Sequence, residues 1–175
     1  EVARCAEEVA AQMRQAGLDR VEVMETGGHP LVYGEWLGAP GAPTVLVYGH
    51  YDVQPEDPVE LWTSPPFQPT IRDGKVYARG ATDDKGQVIA HVKAIEALMK
   101  SEGKLPVNVK VVIEGEEEIG SRNLAPFLEK NKGMLAADVL VISDSAMFAP
   151  GKPSIVYGLR GLAYVQVELK GADSD

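Results

Sequence analysis

A histidine and an aspartate two residues apart, His50 and Asp52, follow the apolar, β-branched run 44–48. In an extended chain, side chains at i and i+2 share a face. An imidazole that binds a metal through one nitrogen usually donates its other N–H to a carboxylate. One strand end thus offers a metal ligand together with the group that orients it, although a polar strand-to-loop junction has the same composition. More acids lie downstream. Asp83 and Asp84 precede a helical pattern, Glu116, Glu117 and Glu118 follow the strand-like run 107–113, and Asp144 follows the run 138–142. Taken alone, residues 116–118 read equally well as a charged helix start.

Carboxylates gathered in one place cannot all stay ionised without a positive partner. Divalent ions supply that partner, and mixed histidine and carboxylate ligands suit zinc, manganese or cobalt. One aspartate has two oxygens and can bridge two ions roughly 3.5–4 Å apart, a pair that activates a water and polarises a carbonyl. Such a reaction needs a base for the water proton, and an unliganded glutamate beside the ions suits that role. Residues 116–118 offer more carboxylates than one ion needs. Adjacent side chains point in different directions, so one can bind while its neighbour reaches the water.

The elements that must position these groups alternate. Residues 2–16 carry Val2, Ala6, Val9, Ala10, Met13 and Ala16 at helical spacing, with Gly17 as a C-terminal cap. Residues 21–24, 31–37, 44–48, 107–113 and 138–142 read as strands. Residues 71–77 read as a hairpin around Asp73 and Gly74. A helix is expected from Lys85 to about Lys100, burying Val88, Val92, Ile95 and Met99, with Ile89 and Leu98 widening that face. A second helix is expected over 122–131, and further strands over 154–157 and 162–169. The proline-rich, aromatic stretch 55–69 reads as an ordered irregular loop. His29 falls in a turn, and His91 reads as a packing or surface residue of its helix. Strands alternating with helices argue an α/β fold with a substantially parallel sheet, and ligands of such sheets sit beyond the carboxyl ends of the strands. The three best apolar strands each end in ligand-type residues.

Composition narrows the partners. The 175 residues suffice for one domain, and the apolar (45%) and charged (25%) fractions are those of a globular protein. A net charge of −9 argues against nucleic acid or an anionic membrane as partner. The single cysteine, Cys5, excludes an intrachain disulfide and fits a cytoplasmic setting. A phosphoryl-transfer reading of the acidic strand ends lacks a Gly-rich phosphate loop.

In order and spacing, His-Tyr-Asp-Val-Gln-Pro at 50–55, Trp62, Pro66-Phe67, Arg-Gly-Ala-Thr-Asp-Asp-Lys-Gly at 79–86, Glu-Gly-Glu-Glu-Glu-Ile-Gly-Ser at 114–121 and Ser143-Asp144 resemble the M20 family of metallopeptidases, in its carnosinase-like and bacterial dipeptidase branch. The resemblance implies an incomplete three-layer α/β/α sandwich with a mixed, largely parallel sheet. Residues 1–161 would be the N-terminal part of the catalytic domain, and 162–175 the start of a lid and dimerisation domain. It implies that His50 binds one metal and Asp52 orients it. Asp83 bridges both metals, with a cis peptide bond after it. Glu117 is the general base, Glu118 a ligand of the second metal, and Asp144 completes the first. The base is assigned to Glu117 over Glu116 by counting back from Gly120 and Ser121. Two divalent ions, zinc first, and a homodimer of the full-length protein are further implications. The late histidine that completes the second metal is absent, so the chain alone is expected to be inactive. The implied reaction is hydrolysis of dipeptides or short peptides. Deacylation of N-acyl amino acids and a non-catalytic metal-binding role are the alternatives.

Overall fold

Strands that are apolar on both faces have to be covered on both faces, and that sets this architecture. The computed structural model describes residues 1–172. In chain order it contains α1 (Val2–Gln15), β1 (Arg20–Met24), β2 (Leu31–Trp36), β3 (Thr44–His50), β4 (Thr70–Arg72), β5 (Lys75–Tyr77), α2 (Lys85–Glu102), β6 (Asn108–Glu114), α3 (Leu124–Lys130), α4 (Lys132–Leu135) and β7 (Val139–Ile142). The chain forms two units, Glu1–Asp144 and Ser145–Asp175.

The first unit is built on a five-stranded sheet of order β1-β2-β6-β3-β7. β6, β3 and β7 run parallel, and β2 and β1 are added antiparallel. Alternation along the strands feeds two cores. Val32, Val47, Val109, Val111 and Ile113 meet Ala6, Val9, Ala10 and Met13 of α1 and Val88, Val92 and Ile95 of α2. Leu31, Tyr33 and Val112 point the other way and meet Phe127 and Leu135 of α3 and α4. Helices, sheet and helices thus make the three layers of the expected sandwich. Burying each large side chain of these cores contributes roughly 1.5–3 kcal/mol.

Local sequence explains most element ends. α1 stops where Gly17 takes φ 97°, the left-handed turn that favours glycine. The β4–β5 hairpin turns on Asp73 (φ 49°) and Gly74 (φ 73°), as the Asp-Gly pair demands. Other expectations shift. β3 continues through Gly49 to His50, because both pair in register with Ile113 and Glu114 of β6. Ile89 and Leu98 do not widen the buried face of α2 and stand exposed, since the sheet takes only a narrow stripe of that helix. The expected helix over 122–131 is the shorter α3, followed by the separate turn α4.

In the second unit Ala149 and Lys152 form an isolated antiparallel bridge. Residues 154–157 and 162–169, expected as strands, carry no strand here. A strand exists only through a partner that takes up its N–H and C=O groups, and among the described residues these runs have none. Residues 173–175 of the expected lid start at 162–175 lie outside the described residues. Among the described residues no helix is long and apolar enough to cross a membrane.

Ile113 is fully buried one residue before the acidic end of β6. Ile113→Ala is expected to cost about 2–5 kcal/mol, read as a lower urea midpoint with an unchanged slope.

Candidate metal centre

His50 is the last residue of β3 and is wholly buried. Gly49 lets the neighbouring helix close on it. A Cβ at position 49 would fall 2.6 Å from Asp84 Oδ2 and 2.8 Å from a Val88 methyl, distances that real Cβ atoms do not show. The N-terminus of α2 therefore packs against bare strand backbone.

Both ring nitrogens of His50 are engaged. Nδ1 lies 3.2 Å from Asp52 Oδ1, and Nε2 lies 3.0 Å from Asp83 Oδ1. Asp144 Oδ2 stands 3.6 Å from Nε2 and Glu117 Oε2 3.9 Å. Burial pulls the imidazole pKa down, but the Asp52 hydrogen bond and the charges of Asp52, Asp84 and Glu117 outweigh it and push it up to about 9. Asp52 does more than orient the ring. Its Oδ1 also accepts the Glu117 N–H at 3.2 Å, and its Oδ2 accepts the Glu118 N–H at 3.0 Å. Burial would raise its pKa, yet the bonds from His50 and the Glu118 amide hold it below the ordinary value.

Asp83 and Asp84 are joined by a cis peptide bond and meet different parts of His50. The Asp83 side chain is 60% exposed and faces His50. Asp84 is buried, and its Oδ2 accepts the His50 backbone N–H at 3.2 Å. Its Oδ1 is buried with no hydrogen-bond partner among the described residues. Burial, with the charges of Asp144 and Asp83 adding, raises its pKa to about 6 against the opposing bond and charge of His50.

The three glutamates after β6 separate by task. Glu116 is buried, and its carboxylate accepts the His29 N–H (3.0 Å), the Asn123 N–H (3.3 Å) and the Asn123 side-chain amide (2.9 Å). Those bonds tie it to the framework. Glu117 is free of them and faces His50; burial raises its pKa, and Glu118, Asp144 and Asp52 add to that against the His50 charge. Glu118 receives the Gln54 side-chain amide at 2.6 Å. Behind them Glu114 accepts hydrogen bonds from Tyr48 and, at 2.9 Å, from Ser121, closing the turn.

One ligand atom each from His50, Asp83 and Asp144 lies within 4.8 Å of the others. One imidazole nitrogen and two carboxylate oxygens at this separation suit zinc, manganese or cobalt, so the residues fit a divalent ion. Glu118 stands outside that trio. Three contributors escaped sequence reasoning. Asp84 reads as a helix-start acid, nothing around Gln54 shows its reach to Glu118, and the structural task of Glu116 shows only through its partners in distant segments.

A sequence profile of peptidase family M20/M25/M40 matches residues 46–172. The Beta-Ala-His dipeptidase of Homo sapiens is 45% identical over 148 residues, which is 83% of this chain and 29% of that protein. The Cys-Gly metallodipeptidase of Schizosaccharomyces pombe is 36% identical over 167 residues, 94% of this chain and 35% of that protein. The crystal structure of an M20 family metallo-carboxypeptidase from Sulfolobus solfataricus superposes with a TM-score of 0.76 at 41% identity, covering 83% of this chain and 33% of that one. The chain thus spans about a third of the length of the curated relatives it matches.

The raised pKa of His50 links stability to pH. In the metal-free protein its pairing stabilises the fold fully below pH 6.5, and that contribution is lost as pH rises through about 9. Asp52→Asn is expected to lower the His50 midpoint, read by NMR titration of the ring. Between those pH values a binding cation must displace the proton, so affinity should rise about tenfold per pH unit and calorimetry should record about one proton released per ion at this histidine.

Proposed function

This chain belongs to peptidase family M20/M25/M40, and from that membership we propose that the protein carrying it hydrolyses the peptide bond of dipeptides or short peptides with the help of two divalent cations. The observation that carries this reading is the convergence of His50, Asp83 and Asp144, from three separate segments, to within 4.8 Å. The dipeptide substrates in the names of the Beta-Ala-His and Cys-Gly relatives support the substrate class.

In this reading His50, Asp83 and Asp144 would hold the first ion. Asp83 and Glu118 would contribute to holding the second. When bound, the ions, zinc first and manganese or cobalt as substitutes, lower the pKa of a water and polarise the scissile carbonyl. Glu117 takes the water proton and hands it to the leaving amine. Two features favour it over Glu116. Its carboxylate is uncommitted, while that of Glu116 is taken by His29 and Asn123. Its raised pKa brings it closer to the pH at which a base must also act as an acid. Asp52 keeps the imidazole turned so that Nε2 faces the carboxylates.

Residues 162–175 begin the lid and dimerisation domain, the full-length protein is a homodimer, and its setting is cytoplasmic. The single cysteine agrees with the last point.

Steady-state kinetics on the full-length protein test the reading. Glu117→Gln should lower kcat about 10²–10⁴-fold with bound metal unchanged, and chelation should abolish dipeptide turnover until zinc, manganese or cobalt is restored. The 175-residue chain alone should turn over no dipeptide. Cleavage of N-acyl amino acids with none of dipeptides would replace the dipeptidase reading with the deacylase one.

A further inference from the structure

Asp144 sits in an exposed place for a residue that must hold a fixed position. Among the described residues β7 pairs on one side only, to β3. Val139, Leu140 and Ile142 of that strand are 49–58% exposed. The register with β3 ends at Tyr48 opposite Ile142, so Ser143 and Asp144 lie beyond the last ladder pair. Residues beyond the last ladder pair depend on other bonds for a fixed position.

A tie comes from α2. His91 Nε2 lies 2.7 Å from Ser143 Oγ. His91 is seven residues after Asp84, two turns along a helix and so on nearly the same face. That face carries Asp84 against His50 and Val88 and Ile95 into the core. One helix stripe therefore places Asp83 and Asp84 at its start and grips the residue before Asp144 two turns later. Burial lowers the His91 pKa and so favours the neutral ring.

We propose that His91 is a positioning residue: through Ser143 it holds Asp144 at the distance from His50 and Asp83 that a shared cation requires. This rests on the metal reading above. It gives α2 the task of registering both carboxylates of the trio, Asp83 through its start and Asp144 through His91.

Cobalt titration of the metal-stripped full-length protein, followed by the visible d–d bands, tests the proposal. His91→Phe keeps a flat ring and removes the bond, Ser143→Ala removes the partner, and His91→Gln keeps a polar group at similar reach. His91→Phe and Ser143→Ala should each weaken cobalt binding by about tenfold. The double variant should be no weaker than the weaker single, as for two halves of one contact, and His91→Gln should bind close to wild type. The proposal is overturned if both single variants bind within twofold of wild type, or if their losses multiply in the double variant. Wild-type protein that takes up no cobalt would remove the metal reading itself, and this inference with it.

Discussion

Three N–H groups converge on the Asp52 carboxylate: the His50 ring and the backbone amides of Glu117 and Glu118. Donors of this kind keep a carboxylate ionised even where burial opposes it. Their importance is mechanical as well as electrostatic. The imidazole and the two glutamates belong to segments more than sixty residues apart in the chain, yet one rigid group sets their separation. Asp52 is in turn held by its neighbour. The Tyr51 backbone N–H bonds Glu114 O at 2.8 Å, and its hydroxyl bonds Pro30 O at 2.6 Å. Its ring lies where any side chain at Gly115 would have to go. The ends of β3 and β6 are locked together just behind the site.

The charge balance around His50 points in one direction. The His50 pKa is raised by surrounding anions, Asp84 is raised by burial and by Asp144 and Asp83, and Glu117 is raised by burial and by Glu118, Asp144 and Asp52. Each shift relieves an excess of negative charge, two by favouring a neutral acid and one by retaining a proton on the imidazole. A divalent ion among the same groups would serve the same end without holding those protons, which is why metal affinity and pH are linked here.

Much of this was legible in the sequence, for reasons that individual residues make plain. Apolar runs such as 107–113 had few uses other than buried strands, and acids at their carboxyl ends had to share one sheet edge once the strands ran parallel. The Asp73-Gly74 turn and the Gly17 stop are written in local backbone preference. What escaped depends on contacts between distant segments. Nothing near Ile89 or Leu98 tells that the sheet leaves them uncovered, and nothing near Glu116 reveals that His29 and Asn123 claim its oxygens. His91 reads as a packing residue because its partner, Ser143, is fifty-two positions away. The runs 154–157 and 162–169 have strand-like composition, but composition supplies no pairing partner.

The missing side chain at Gly49 also ties two parts of the site to one contact. Helix and strand meet there directly, and the Asp84 carboxylate reaches the His50 backbone N–H across that contact. Any side chain at 49 would part the start of α2 from the end of β3, and would carry Asp83 and Asp84 away from His50 together.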